Sequence, residues 1–160
     1  QLHHILTYGT YADRKEKIRP GEYRVSKTDV GIPAKEITLT VSALIREYEK
    51  GLITLDRVLD FHVHFERIRP FEDYNGRLGR LIMLKECLRH EVDPFIIDDK
   101  RRTDYLEGIR QWDQDRSILT GIVLDCQARF EAQIALQNLR EYGEMYDPIR
   151  EEEEDDYEDD

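Results

Sequence analysis

Residues 56–89 read Asp56-Arg-Val-Leu-Asp-Phe-His-Val-His-Phe-Glu-Arg-Ile-Arg69-Pro70-Phe-Glu-Asp-Tyr-Asn75-Gly-Arg-Leu-Gly-Arg80-Leu-Ile-Met-Leu-Lys-Glu-Cys-Leu-Arg89. Val58, Leu59, Phe61, Val63, Phe65 and Ile68 recur near one broad apolar face at helical spacing, with charges between them. Pro70 stops that helix and biases Arg69 towards extended geometry, and Asp73, Tyr74, Asn75 and Gly76 supply turn chemistry. Apolar periodicity returns at Leu78, Leu81, Ile82, Leu84, Cys87 and Leu88. The stretch therefore predicts a helix over 56–68, a tight loop, and a buried helix over 76–89.

A loop that feeds Asn75 and Gly76 into a helix N-terminus points free backbone N–H groups outward, where they and the helix dipole favour an anion. Arg77 and Arg80 lie one turn on, close enough for their guanidinium forks to converge on phosphate oxygens. Asp73 is placed to hold a magnesium ion bridging two of those phosphates, because this hard cation takes carboxylate and phosphate oxygens together. On the alternative reading, Asp73 and Asn75 only cap the helix while Arg77 and Arg80 make surface ion pairs.

The run from His64 to Arg80 resembles the motif of the Fic family, His-Pro-Phe-x-(Asp/Glu)-Gly-Asn-Gly-Arg-x-x-Arg, at Pro70, Phe71, Asp73, Asn75, Gly76, Arg77 and Arg80. Such proteins typically move AMP from ATP onto a hydroxyl of a target protein. The resemblance implies an all-α, Fic-like helical bundle over residues 1–145, ATP as substrate with magnesium, nucleotide contacts at Tyr74, Asn75, Gly76, Arg77 and Arg80, and a protein target. It is strongest over 61–89.

Two positions depart from the motif. Arg69 stands where the family has its catalytic histidine, and Tyr74 where it has the first glycine. A general base accepts the proton of the attacking hydroxyl, a task that suits histidine and not a guanidinium, which stays protonated and only donates. Arg69 is therefore not expected to act as a base, and the resemblance implies a transferase scaffold impaired there. The alternative is a catalytically inactive Fic-like module that binds a nucleotide or a partner. For Arg69 itself, phosphate contact and pairing with Glu66 or Asp73 both stay open. Tyr74 would bear strain of roughly 1–2 kcal/mol if the loop needed a positive φ there; we expect Asn75 and Gly76 to supply the unusual angles instead.

Residues 20–33, Pro-Gly-Glu-Tyr-Arg-Val-Ser-Lys-Thr-Asp-Val-Gly-Ile-Pro, alternate around Tyr23 and Val25 between Gly21 and Gly31, which predicts a small surface β-hairpin or an ordinary loop. By resemblance the hairpin would be a flap, with Tyr23, Arg24 and Val25 docking an extended stretch of the target by strand addition. Many Fic proteins carry an inhibitory helix of the form (Ser/Thr)-x-x-x-Glu-(Gly/Asn), and Thr103 to Gly108 fits that pattern. Its place inside the helix after the motif makes the match a coincidence, with an inhibitor missing from the chain or supplied by a partner.

Elsewhere the periodicity predicts helices over 38–50, 99–112 and 117–142, five such helices in all, besides the end of a short helix over 1–8; Val92 to Ile97 reads as an extended link. The net charge of −11 is concentrated in a tail: nine of the last ten residues are acids, leaving 24 bases against 26 acids elsewhere, a net of −2. A body without a basic excess argues against nucleic-acid binding. The acidic tail, 146–160, is expected to be disordered. Cys87 and Cys126 lack metal or redox spacing and read as buried thiols of a cytoplasmic protein. His62 and His64 fall on different helix faces, so zinc is not expected. No apolar run reaches membrane-spanning length and Gln1-Leu-His-His does not resemble a secretory leader. Lacking an initiating methionine, the chain is expected to be a fragment.

Overall fold

The computed structural model describes residues 1–10, 14–15, 17–28 and 30–145, so the expected tail at 146–160 lies outside the described residues. Among these residues are six α-helices and no strand: α1 (Leu2–Thr7), α2 (Ile37–Tyr48), α3 (Leu55–Ile68), α4 (Asn75–Arg89), α5 (Arg102–Gln111) and α6 (Arg116–Met145). Single 3-10 turns, Ala34–Glu36 and Asp99–Arg101, lead into α2 and α5. No helix among the described residues is long and apolar enough to cross a membrane.

Helix α3 organises the rest. It starts at Thr54, whose side chain accepts the Arg57 N–H. Its apolar face works in two directions. Val58, Leu59 and Val63 pack with Met83 and Cys87 of α4, Phe95 of the link, Tyr105 of α5, and Leu119, Val123 and Cys126 of α6, around the fully buried Trp112. Further along, Ile68 meets Ile37 and Val41 of α2, while Phe65 meets Phe71 and Leu78. Each large apolar side chain buried in this way contributes roughly 1.5–3 kcal/mol. The outer part of α6 differs from the rest, since Ile134, Leu136 and Leu139 continue the apolar pattern yet stay exposed.

The predicted hairpin at 20–33 is not seen. The backbone N–H groups of Arg24 and Ile32 bond to the end of α3 and the following loop, and among the described residues the segment's internal bonds run through side chains. The Arg24 N–H donates to the Pro70 carbonyl at 2.9 Å and the Ile32 N–H to the Ile68 carbonyl at 3.4 Å. Arg24, buried to 4% exposure, sends its side chain inward: Nε donates to the Arg69 carbonyl at 2.7 Å, and the terminal nitrogens donate to the carbonyls of Ser26, Ile32 and Ile68. Glu72 accepts from Ser26 Oγ at 2.7 Å and from the N–H groups of Val25 and Ser26. The N–H groups of Arg24, Val25, Ser26 and Ile32 are thus engaged elsewhere and are not free to build a cross-strand ladder.

Candidate functional site

The loop between α3 and α4 is set by two residues in the left-handed region. Arg69 (φ 46, ψ 65) closes α3 while its N–H still bonds the Phe65 carbonyl at 3.2 Å. The extended geometry expected of it before Pro70 is therefore not adopted; satisfying the helix's last carbonyls outweighs the local bias. Tyr74 (φ 64, ψ 7) precedes α4. Here too the expectation is corrected, because Asn75 and Gly76 are already helical and Tyr74 itself takes the unusual angle.

Asn75 braces the turn. Its Oδ1 accepts the Phe71 N–H at 2.9 Å and its Nδ2 donates to the Phe71 carbonyl at 2.8 Å. Phe71 is buried beneath the loop and stacks on His3, with ring centres 3.8 Å apart. The His3 ring also accepts the Gly21 N–H at 2.9 Å and donates to the Asp73 carbonyl at 3.3 Å. The loop is thereby fixed from below by α1 and from the side by Arg24.

Above the loop lies a cavity of about 490 Å³. Arg69, Asp73, Tyr74, Asn75, Gly76, Arg77 and Arg80 all line it. Helix α4 opens onto it without a side-chain cap, and its first intrahelical bond, from the Leu78 N–H to the Tyr74 carbonyl, spans 2.8 Å. The N–H groups of Asn75, Gly76 and Arg77 precede that bond, as the open donors of a helix N-terminus do. Asp73 Oδ1 accepts the Tyr74 N–H at 2.6 Å. One carboxylate beside such donors suits magnesium, which is held by few protein oxygens and completed by phosphate and water.

Tyr23, Arg24 and Val25 do not line this cavity. Tyr23 leans on Phe71 with ring centres 5.3 Å apart, Arg24 is buried, and Val25 is exposed. The side of the cavity facing the loop is formed by Ile97, Asp98, Asp99, Arg102, Tyr105 and Leu106, not by the 20–33 segment expected as a flap. Sequence reasoning missed this wall, since nothing local marks the end of the link and the start of α5 as neighbours of the loop.

A buried polar cluster underlies the arginines. His62 is 1% exposed and its Nε2 bonds the Tyr105 hydroxyl. Burial, then the charge of Arg80, lowers the His62 pKa to about 3, so the ring is neutral. The Tyr105 hydroxyl also meets Arg80, and burial together with the Glu66 charge raises its pKa. Glu66 lines the cavity from α3; burial raises its pKa against the opposing charges of Arg80 and Arg69. Glycine makes the space: a Cβ on Gly79 would lie 2.8 Å from His62 Cε1, and one on Gly76 would lie 3.4 Å from both Arg80 Nη1 and Glu66 Oε1. Glu107, the glutamate of the inhibitory-like pattern, pairs instead with Arg110 and Gln111 of its own helix. In the same stretch Tyr105 is buried in the core, whereas Leu106 is about half exposed.

A sequence model described as the Fic/DOC family matches residues 1–87. The fold is similar to that of a crystal structure of a Fic domain containing signaling protein from Bacteroides thetaiotaomicron, with a TM-score of 0.58 and 23% sequence identity. The similarity covers 70% of this chain and 53% of that one, so the chain spans about half the length of that protein. No curated protein matches.

Proposed function

Since the chain belongs to the Fic/DOC family, whose members generally transfer a nucleotide monophosphate onto proteins, we propose that the cavity above the 69–76 loop takes ATP and passes AMP to a hydroxyl of a target protein. The observation that carries this reading is the convergence of Arg69, Arg77, Arg80, Asp73 and the uncapped end of α4 on one polar cavity of about 490 Å³. That volume suits a nucleotide. Phosphate oxygens would meet the free N–H groups and the guanidinium of Arg77, with Arg80 held beside them by Tyr105. Magnesium, held by Asp73, would neutralise phosphate charge.

Arg69 contributes charge and no base, and the loss of a general base costs on the order of 10²–10⁴-fold in rate. Slow transfer is the expected behaviour. The target would dock beside the exposed Val25 and the partly exposed Tyr23; Arg24 is spent on the loop and takes no part. An inhibitory segment or partner acting in trans and a cytoplasmic setting complete the proposal. A second reading, an inactive module that holds a nucleotide or a partner, is favoured by the same Arg69.

The test is incubation with magnesium and ATP labelled on the α-phosphate, alongside an Arg69→His version. Label on protein from the histidine version, stronger than from the parent, supports a transferase scaffold. Nucleotide binding without label from either supports the binding module.

A further inference from the structure

Of the cavity's carboxyl groups, phosphate and metal binding employ only Asp73, and of the remaining three Glu66 is the one held in the buried polar cluster. Glu66, in the last turn of α3, and Arg69, the left-handed residue that closes it, both line the cavity. The Glu66 carboxyl rests against α4 where two glycines admit it, 3.0 Å from a Cβ built on Gly79 and 3.4 Å from one built on Gly76. Its Oε1 is buried without a hydrogen-bond partner, and the side chain is 17% exposed. A buried polar atom left unsatisfied is costly, and native structures that keep one often use it chemically.

The groups facing Glu66 come from every neighbouring element. His62 on α3 brings Nε2 to 4.0 Å, Arg69 approaches from the loop and Arg80 from α4, and Tyr105 faces it from α5. Asp73, Asp98, Asp99 and Arg102 complete the charged lining. His62 is no rival as a base, because it is sealed from the cavity and its Nε2 is engaged by Tyr105. Burial raises the Glu66 pKa despite the two arginines, and a carboxylate shifted in that direction is the stronger proton acceptor.

We infer that Glu66 accepts the proton of the attacking hydroxyl, in the place of the histidine that position 69 lacks. This rests on the nucleotidyl-transfer reading above. In the step, the target's hydroxyl oxygen bonds to the α-phosphorus of ATP while the bond from that phosphorus to the bridging oxygen breaks. Pyrophosphate leaves with that electron pair. The hydroxyl proton passes to the Glu66 carboxylate, which later returns it to water. Glu66 lines the same cavity as Arg69 and lies near enough to feel its charge, which puts the carboxylate beside the position that the absent imidazole would serve.

The experiment compares the parent and Arg69→His proteins, each with and without Glu66→Gln, for incorporation of label from ATP labelled on the α-phosphate, with the magnesium-ATP shift in melting temperature measured in parallel. Glu66→Gln should slow labelling by the parent about 10²-fold or more while the nucleotide-induced shift persists, and should cost the Arg69→His protein less than about tenfold. The parent's rate should rise with pH through the Glu66 pKa and then level, a profile that Glu66→Gln flattens. Glu66→Asp, which withdraws the charge by one methylene, should fall between the two and serves if the glutamine version melts early.

Labelling by the parent that Glu66→Gln leaves undiminished overturns the inference and leaves the site reading standing. So does labelling that appears only with Arg69→His. If no version labels protein although ATP binds, the transfer reading itself fails and the role of Glu66 falls with it.

Discussion

The guanidinium carbon of Arg77 lies 3.7 Å from the centre of the Tyr74 ring, in a contact set by the left-handed backbone of Tyr74 just before α4. Glycine at position 74 would relieve about 1–2 kcal/mol of backbone strain. It would also forfeit the cation–π contact, about 0.5–1 kcal/mol at an exposed site, and add roughly 0.4–1 kcal/mol of unfolded-state entropy. These contributions oppose one another. Tyr74→Gly should therefore leave the urea midpoint almost unchanged, and a shift of more than about 2 kcal/mol in either direction would show that the loop depends on the ring for more than this contact.

Magnesium-ATP should raise the melting temperature, because a ligand that binds only the folded state stabilises it by mass action, about 2.7 kcal/mol at a hundredfold excess over Kd. Arg77→Ala should remove most of that rise, since Arg77 lines the cavity and adjoins the open N–H groups of α4. Calorimetric scans with and without millimolar nucleotide decide the matter. An unchanged melt counts strongly against phosphate binding here.

Periodicity and Pro70 delivered α3 and α4 to within a residue at their ends, because each helix carries its own apolar face and its own stop. The loop between them was misread in two respects: Arg69 is left-handed where Pro70 argued for extended backbone, and the second error lies at Tyr74. Asn and Gly tolerate left-handed angles, so composition assigned those angles to Asn75 and Gly76, whereas the helix begins one residue earlier and Tyr74 absorbs the turn. At Gly76 the missing Cβ serves instead the close approach of Glu66 and Arg80. Arg24 and Glu66 were illegible for a different reason. Local sequence offered Arg24 as a docking residue and Glu66 only as a partner for Arg69, and only the tertiary fold reveals that one caps α3 from inside and the other faces the cavity. The wall from Ile97 to Leu106 was hidden likewise, since its place depends on how α5 packs with α6.

Arg24→Ala should be among the more damaging single changes. It strips the carbonyls of Ile32, Ile68 and Arg69 of a buried donor. Each such loss costs about 1–3 kcal/mol where water cannot replace the donor, so a combined loss on the order of 3 kcal/mol is expected from urea unfolding. Lysine should rescue little, because one ammonium cannot reproduce the planar fork. Rescue to near the parent's stability would contradict this account.

Two glycines should respond to alanine with opposite signs. At Gly79 the new Cβ would meet His62 Cε1 at 2.8 Å, His62 Nδ1 at 2.9 Å and Glu66 Oε1 at 3.0 Å, and the His62 ring is held by Tyr105. Overpacking of that kind costs about 1–3 kcal/mol. At Gly121, in α6, a Cβ meets nothing within 4 Å. Alanine there should stabilise by up to about 1 kcal/mol through helix propensity alone. Thermal or urea melts of the two variants give the comparison directly.

The last prediction concerns pH. His62 titrates near 6.5 when unfolded but only at about 3 in the fold, where burial and Arg80 keep it neutral. Between those values the unfolded chain binds more protons than the folded one, so the stability associated with His62 is fully present above pH 6.5 and is lost as the pH falls towards 3. The slope approaches about 1.4 kcal/mol per pH unit within that window. Glu66, with a raised pKa, acts in the opposite sense, its contribution being lost as pH rises through its folded value. His3, also lowered, adds to the trend set by His62. Comparison with His62→Gln isolates the one residue: between about pH 6 and 5 the parent's unfolding free energy should fall more steeply than the variant's, by about 1.4 kcal/mol per unit. Equal slopes would show that His62 takes up its proton without unfolding, and that the cluster beneath Arg80 is open to water.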